Sequence, residues 1–499
     1  MAEHLIGIET AKTDLLNCAA YIAENIKSAD GHAGAMKEIV PRYLEKGAVD
    51  LAAELANTVD DPFTRDRLLL RVAEKCAAIG DDEYAFQLIE AIEETSTRDE
   101  AREHIAAQKS ANGDFAKAFE IAETLPHADF AFAEIAVRQV ASGDEANALN
   151  TIEKIDFPNA KVAVFQNLAL VHLEKGETAK AAELLDKAAA SADEIEFTEE
   201  KIRALIDIGN HFLEAEQNGR AIEIFDKAKA SAETLDNVHR DSFLGSVALG
   251  LLQAGSLELA DRTLDLVADN VPTATALVGF AREFQKRGKL SEALETLEEA
   301  YSILKSQRDR DVRDSKARFG LWAAIAVEFA RFEKPERAIE IAQEIADENS
   351  QTSALSQIAQ ICAAQNKDDA ARQAVNAIAD DSQKMFALIG ISDVKNKSGN
   401  TDEAVNFLRE AETLAETVER LALRSAAFNE LARRFHDYGD QEKMRELGIE
   451  NLDTIFNIRD ESNRAVALAQ MSDFYQSKNI ELINPEREMI LRIIGKSNG

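Results

Sequence analysis

Residues that interrupt a helix are scarce in this chain. Only 7 of its 499 residues are proline. Because proline inside a helix removes a hydrogen bond and clashes with the preceding turn, long stretches are free to be helical. Alanine, glutamate and leucine, which are among the strongest helix formers, are abundant. The composition therefore favours an all-α chain.

Cysteine and histidine are also few. Cys18, Cys76 and Cys362 are odd in number, lie far apart and form no CxxC pair, so neither a disulfide framework nor a zinc site is expected. The 8 histidines are scattered along the chain and show no metal-ligand spacing. We expect buried free thiols in a reducing compartment, with no metal and no cofactor.

Long hydrophobic runs are missing. No stretch approaches the roughly 18 apolar residues that a membrane-spanning helix needs, and the first residues contain acidic side chains and no long apolar core. A signal peptide is therefore not expected. These features together predict a cytoplasmic protein without a membrane-inserted segment.

Positive charge is in deficit. The chain has 57 Lys and Arg against 91 Asp and Glu, a formal net charge of −34. Nucleic acids and anionic membranes are bound through clustered basic residues, so neither is expected as the main partner. A basic protein segment is compatible with this charge. The simpler interpretation, which we favour, is a solubilising acidic surface with no role in docking.

Linear catalytic motifs are absent as well. The sequence contains no glycine-rich phosphate loop, no HExxH, no GxSxG and no calcium-binding loop. Acidic pairs three or four residues apart are frequent, but on helices such pairs are typical of solvated faces. No catalytic residue is predicted, and the chain is not expected to be an enzyme.

Internal repetition is the dominant positive feature. A glycine or a polar substitute recurs every 30 to 45 residues, and a small residue usually follows it five positions later. We interpret each recurrence as the left-handed turn residue between two helices. The twelve turn positions are Gly47, Gly80, Gly113, Gly143, Gly176, Glu216, Gly255, Gly288, Glu333, Asn366, Gly399 and Gly439. Glu216 and Glu333 fit this role least well.

Each turn position is preceded by a helical pattern. Seven residues before the turn lies a small residue, such as Ala73 or Gly209, and a bulky apolar residue precedes it directly. A further bulky residue lies three positions earlier, which places all of them on one helix face. A second apolar face follows the turn, so each unit is a pair of antiparallel helices.

This arrangement resembles the tetratricopeptide repeat family. Two units carry the family order most clearly: Leu205, Ile208, Gly209, Phe212, Ala221, Phe225 and Ala228 in one, and Trp322, Ile325, Ala326, Phe329, Glu333 and Ala338 in the other. The resemblance implies a right-handed α-solenoid of about twelve helix-turn-helix repeats. A partial thirteenth unit is indicated around Leu468, Met471, Ser472 and Tyr475.

Three regions follow from the repeats. Residues 1–32 are predicted to hold an N-terminal capping helix, residues 33–478 the repeat array, and residues 479–499 a C-terminal cap or tail. Residues 9–27 and 486–494 are the helical parts of the two ends. Terminal units otherwise expose apolar faces, which favours capping, while a partner-docking role for the C-terminal helix stays open.

The resemblance also indicates where a partner would bind. In that family, first-helix positions beside the small residue line a concave groove, and here these positions are apolar in the centre and polar towards the C-terminus. The candidate groove residues are Val137, Val140, Leu170, Leu173, Asn210, Leu213, Leu249, Leu252, Asn429, Arg433 and His436. The alternative interpretation is that the apolar members pack against the adjacent repeat.

The function that we expect is a cytosolic scaffold or adaptor that binds a peptide or an amphipathic helical segment on the concave face. One alternative is an enzyme or small-molecule receptor whose dispersed site leaves no linear motif. Another is an RNA reader of the pentatricopeptide kind, which the acidic charge and uneven spacing disfavour. The charged segment 305–318 is either a docking site or a solvated stretch.

Overall fold

The structure is a computed structural model that describes residues 4–306 and 312–497, with side chains in the second range from residue 315. These described residues form 28 α-helices and no strand. Two helices, α1 (Ile8–Ala11) and α2 (Leu15–Glu24), come first. Thirteen consecutive pairs follow, and in each pair we name the members the first and the second helix.

The pairs divide into the following helices. The first six are α3 (Ala29–Glu45) with α4 (Val49–Asn57), α5 (Pro62–Ala78) with α6 (Asp82–Ala91), α7 (Thr95–Ala111) with α8 (Phe115–Ala122), α9 (Asp129–Ala141) with α10 (Glu145–Ile152), α11 (Pro158–Glu174) with α12 (Thr178–Asp193), and α13 (Thr198–Glu214) with α14 (Asn218–Glu233). The other seven are α15 (Arg240–Gln253) with α16 (Leu257–Leu264), α17 (Asn270–Lys286) with α18 (Leu290–Ser306), α19 (Val312–Arg331) with α20 (Pro335–Gln343), α21 (Glu348–Ala364) with α22 (Asp368–Asn376), α23 (Asp381–Lys397) with α24 (Thr401–Thr417), α25 (Leu421–Asp437) with α26 (Gln441–Asn457), and α27 (Glu461–Ser477) with α28 (Asn484–Ser497). The predicted all-α array of antiparallel tetratricopeptide-like helix pairs is confirmed.

The turns between paired helices lie where the sequence predicts them. All twelve predicted turn residues have a positive φ, including the non-glycine residues Glu216, Glu333 and Asn366 at 58°, 61° and 57°. Asn479, at φ 51°, is a thirteenth turn residue that follows the partial unit. The repeat pattern therefore selects the left-handed position even where the residue is not glycine.

One hydrogen bond recurs at every turn and explains this conformation. The backbone N–H after the turn residue donates to the carbonyl five residues earlier, as from Asp81 to Cys76 at 2.9 Å and from Gln217 to Phe212 at 2.8 Å. This bond satisfies a carbonyl that the helix end leaves without a partner. The Asp81 side chain then accepts from the backbone N–H of Tyr84 and caps the second helix.

Close helix contacts depend on the small first-helix residues. The Phe225 ring of α14 is fully buried, and a Cβ added at either Gly209 of α13 or Gly250 of α15 would overlap it. The two glycines thus leave the space that this ring fills. Dense packing of this kind makes the predicted small residue Gly209, and also Gly250, a structural requirement.

The chain divides into two compact units. Unit 1 comprises Met1–His104 and Cys362–Gly499, and unit 2 comprises Ile105–Ile361. Unit 2 has a continuous apolar core that includes Ala136, Leu168, Phe212, Phe225 and Leu251. Unit 1 brings together segments from the two ends of the chain.

Within unit 1, α2 packs along α27, to an extent similar to that of the second helix in other pairs. The helix that follows α27 in sequence, α28, packs mainly against α26 and α2. The first helix of the thirteenth pair therefore receives a packing partner from the opposite end of the chain. We name the contacts of α27 with α2 and with α3 the terminal clasp.

Within the clasp, α27 packs on α3 in the way that neighbouring first helices pack on each other elsewhere in the chain. Arg42 of α3 bonds both oxygens of Asp473 in α27, at 2.8 Å each. Arg434 of α25 bonds Asp393 of α23 in the same bidentate manner, at 2.9 and 2.7 Å. In both pairs the arginine lies five residues before its turn residue and the aspartate six residues before its own, so the two ends join in repeat register.

Both predicted terminal helices are present. The expected helix at residues 9–27 is split into α1 and α2, and the expected helix at residues 486–494 lies inside α28. Glu486 fixes α28 from a fully buried position. Its carboxylate accepts from the Tyr475 hydroxyl at 2.7 Å and from Arg445 of α26 at 3.0 Å.

Candidate binding site

A groove of about 390 Å³ lies in unit 2 on the face formed by the first helices α17, α19 and α21. We name it the arginine groove and this side of the helix pairs the first-helix face. Its lining consists of Arg282, Gly320, Ala323, Ala324, Val327, Glu328, Arg331, Asn349, Ser350, Ser353 and Gln357. Small and polar side chains leave room here for a bound chain.

The helix α19 supplies the floor of the groove. Gly320, Ala323, Ala324, Val327 and Arg331 recur at spacings of three and four residues, which places them on one side of the helix. The opposite side carries Trp322, which is buried against Tyr301 of α18. Packing of Trp322 thus sets the rotation of α19 and turns its small residues towards the groove.

A buried carboxylate orients two arginines in the groove. Glu328 is only 2% exposed, and one of its oxygens accepts from Arg282 Nε and Nη2 at 3.0 and 2.8 Å and from Arg331 Nη1 at 2.5 Å. The side chains of Arg282 and Arg331 remain 53% and 51% exposed. One carboxylate therefore holds two guanidinium groups that still face solvent.

The polar wall of the groove belongs to α21. Ser353 and Gln357 are exposed, and the Gln357 amide donates to Ser353 Oγ at 3.2 Å. The N-terminus of α21 is capped from within, since Asp347 accepts from the backbone N–H and the hydroxyl of Ser350. These two bonds, the hydroxyl first, lower the pKa of Asp347. The N-terminus of α21 is thus capped by the side chain of Asp347, the residue directly before the helix.

A second groove, of about 530 Å³, lies on the first-helix face of unit 1 between α3, α5 and α7. Two ion pairs lie within it: Arg67 bonds Glu100 at 2.6 Å, and His104 contacts Glu74. Phe63 is 60% exposed at its edge, beneath the Arg67 guanidinium. This groove is mixed in charge, whereas the arginine groove has a surplus of positive charge.

Most of the apolar residues predicted to line a groove are buried or partly buried. Val140 and Leu252 are buried and belong to the core of unit 2, so neither side chain faces an open groove. Val137, Leu173, Leu213 and Leu249 are partly buried and pack against the core of unit 2, and Leu170 is half-buried.

Leu249 shows the physical reason. Its side chain occupies the space above Gly279 of the next first helix, where an added Cβ would lie 2.7 Å from a Leu249 methyl carbon. First helices approach so closely that apolar residues between them seal the contact instead of lining an open groove.

The polar predicted residues are more accessible, but they do not form one site. Asn210 is exposed in unit 2, while Asn429, Arg433 and His436 lie together on α25 in unit 1. Asn429 donates to the Gln470 carbonyl at 3.4 Å, and Arg433 bonds Glu430 at 2.7 Å. The His436 ring packs edge-on against Phe474.

The neighbouring residue Arg434 is structural. Burial alone would lower its pKa, but the hydrogen bonds that Arg434 donates to Asp393 and Glu430 outweigh burial and raise it. The guanidinium is therefore held charged between two first helices.

Sequence reasoning did not single out Arg282, Glu328 and Arg331. Arg282 and Val327 occupy the register that the resemblance assigns to the groove, directly after the small residues Ala281 and Ala326. Applying that register to α17 as well as to the apolar centre would have found Arg282. The coupling to Glu328, 46 residues away, depends on helix packing and has no sequence signal.

Other kinds of site are not found in the described residues. Over residues 4–306 and 312–497, no group of three or more His, Cys, Asp or Glu side chains could hold a metal ion. In the same ranges no helix is both long and apolar enough to cross a membrane. Cys18, Cys76 and Cys362 are buried, and none of the three forms a disulfide. The charged segment 305–318 lies partly outside the described residues.

Sequence comparison finds no matching protein-family model and no matching curated protein. Similar solved structures include Ton1535 from Thermococcus onnurineus, with 17% identity, a TM-score of 0.26 and coverage of 71% of this chain and 98% of that one. Human IFIT1, solved as a dimer with PPP-AAAA, has 14% identity, a TM-score of 0.27 and coverage of 83% and 98%.

A signal-transduction ATPase from Pyrococcus horikoshii with a tetratricopeptide repeat sensor has 14% identity, a TM-score of 0.24 and coverage of 82% and 65%. TM-scores this low establish no relationship for the chain. The identification of the chain as a tetratricopeptide-like array therefore rests on its own helix pairs and turns.

Proposed function

We propose that this protein is a scaffold that holds a segment of a partner protein against its first-helix face. The arginine groove is the observation that carries the proposal. It is open along three successive first helices, it is lined by small side chains, and it presents two oriented, half-exposed arginines. Small residues admit a backbone, and fixed polar groups provide specificity.

The character of the partner follows from charge. A net charge of −34 attracts basic proteins over distances up to the Debye length and repels nucleic acids. We therefore propose a protein segment that is basic overall, extended or helical, and no nucleic acid as partner. A cytoplasmic location and the lack of enzymatic activity are part of the same proposal.

The test is capture of the partner from the protein's own cells by cross-linking and mass spectrometry. Ser353→Trp fills the arginine groove from an exposed position, so the fold should be retained. Ser291→Trp places the same ring on an exposed position of the second helix α18. We expect Ser353→Trp to lose the partner and Ser291→Trp to keep it. Equal capture by both variants would move the binding surface away from this groove.

A further inference from the structure

The arginine groove departs from the ion-pair pattern found elsewhere between first helices. In the clasp, Arg42 is shared by two carboxylates, Asp473 and Glu38. Arg434 is likewise shared by Asp393 and Glu430. The side chains of Arg42 and Arg434 are only 16% and 13% exposed. At these places the acidic groups outnumber the arginine and cover it.

In the arginine groove, the positions five and six residues before the turn residues are again charged, but here arginines outnumber carboxylates. Glu328 lies five residues before its turn residue and Arg282 lies six before its own, so acid and base have exchanged places. Arg331 adds a second guanidinium to the same carboxylate oxygen. Two positive charges therefore share one negative charge, and both arginines are about half exposed.

The hydrogen-bonding edges of the arginines point to an oxyanion. Arg331 uses Nη1 for Glu328, and its Nε and Nη2 donate to no other residue in the described part of the chain. The pair Nε–H and Nη2–H is the edge that binds carboxylates and phosphates through two parallel bonds. Arg282 donates to Glu328 through Nε and Nη2, which leaves its Nη1 available to donate to a ligand.

The surroundings limit what such a ligand can be. Beside the arginines the groove is lined by residues with little or no side chain, Gly320, Ala323 and Ala324, which leave space for a ligand. The α21 side of the groove provides the hydroxyl group of Ser353 and the amide group of Gln357. A volume of about 390 Å³ accommodates one side chain with its neighbouring backbone. The overall charge of −34 disfavours a ligand with acidic groups along its whole length.

We propose that the arginine groove binds a single oxyanion on a side chain of the bound segment, either a phosphorylated serine or threonine or an aspartate or glutamate. The proposal rests on the proposed function and adds the chemistry that the groove selects. Glu328 is a positioning residue, because it fixes both guanidinium groups. Arg331 and Arg282 are the contact residues.

The test uses peptides blocked at both ends, so that side chains supply the only anion. The full-length protein is titrated into acetyl-Gly-phosphoSer-Gly-amide and followed by ³¹P NMR. The matched peptides with Asp or Ser in the centre compete in the same experiment. We expect the phosphoserine peptide to bind and the serine peptide not to compete. Competition by the aspartate peptide distinguishes a general oxyanion site from a phosphate-selective one.

Four variants locate the site. Arg331→Gln and Arg282→Gln should each weaken binding roughly tenfold, because each removes charged hydrogen bonds to the ligand. Arg331→Lys keeps the charge but loses the paired donors, so it should also weaken binding. Arg262→Gln removes the same charge from an exposed position of the second helix α16 and should leave binding unchanged. Thermal unfolding of each variant checks that the fold is retained.

Several results would overturn the proposal. These are no binding by the wild-type protein at millimolar peptide, equal binding by Arg331→Gln, or equal weakening by Arg262→Gln. Partner capture separates this failure from that of the proposed function. If Ser353→Trp loses the partner while Arg331→Gln keeps it, the first-helix face is the docking surface and the oxyanion site is rejected.

Discussion

Individual side chains decide how closely the helices of unit 2 approach. Phe225 fills a space bounded by Gly209 and Gly250, which belong to two successive first helices. The sequence marks Gly209 as a small position, but it does not show that Gly250 faces the same ring. Close packing converts this single aromatic residue into a constraint on both neighbours.

Gly250→Ala should therefore lower the free energy of unfolding by about 1–3 kcal/mol, because the new methyl group overlaps the Phe225 ring. Gly219→Ala in α14 is the control, since an added Cβ there meets no atom within 4 Å. Urea denaturation measures both. The double variant Gly250→Ala with Phe225→Leu should lose less stability than the two single changes added together. Strict additivity would argue against the contact.

The turn at Glu216 makes a second prediction at this scale. Its φ of 58° lies in the left-handed region, which costs an L-amino acid with a Cβ roughly 1 kcal/mol. Glu216→Gly should raise the stability by about 0.5–1 kcal/mol. Glu223→Gly, inside α14, should lower it by about 1 kcal/mol, because glycine is a poor helix former. A loss of stability at both positions would contradict the strain at the turn.

Among the elements, α2 has the least predictable role. Sequence position suggests a cap on the first pair, but in the structure the helix packs along α27 at the other end of the sequence. Cys18 lies fully buried in α2, and burial, followed by the Asp14 charge, raises its pKa to about 12. The thiol is therefore protonated near neutral pH and protected until the clasp opens.

Opening of the clasp should be visible as alkylation of Cys18. Asp473→Ala removes the bidentate partner of Arg42. Since Asp473 is half exposed, we expect a cost of about 0.5–1 kcal/mol and a roughly two- to fivefold faster reaction of Cys18. Cys362 serves as the internal reference, and site-resolved mass spectrometry follows both thiols at pH 8.

Asp393→Ala is the matched control for this experiment. It breaks the equivalent bidentate pair with Arg434, between α23 and α25. The reactivity of Cys18 should then stay at the wild-type rate. Acceleration of Cys18 by both variants to the same degree would show general loosening of unit 1 and would contradict a local clasp.

At the scale of the whole molecule, the helix pairs are distributed over two compact units. In repeat proteins stability is approximately the sum of local and nearest-neighbour terms, so parts of the chain can unfold separately. The chain provides a reporter for each unit. Trp322, the single tryptophan, is buried in unit 2, and Cys76 is buried in unit 1.

We expect the two reporters to give different midpoints in urea, with Trp322 fluorescence following unit 2 and alkylation of Cys76 following unit 1. Gly250→Ala should shift the Trp322 transition to lower urea and leave the Cys76 transition in place. Coincident midpoints in the wild type that move together in the variant would show one cooperative unit instead.

Sequence reasoning was strongest where the determinant is local. Glu216, Glu333 and Asn366 were placed at turns by spacing alone, and each adopts a positive φ. It was weakest at the groove. Val140 and Leu252 were predicted to face a partner and are buried, while Arg282 and Arg331 were passed over. A helical period places a residue on a face, but only neighbouring helices determine whether that face is open.

The sequence by itself determined the helices, their turns and, except at α27, the pairing of each first helix with the second, because caps, left-handed turns and apolar periodicity act within about forty residues. The tertiary structure alone decided which surfaces stay open and which distant segments meet. The join of Arg42 with Asp473 spans 431 residues, and the sharing of Glu328 by Arg282 spans 46. Contacts at such separations depend on the angle and distance at which successive helix pairs pack. Many side chains along the array determine these together, so no local sequence pattern reveals them.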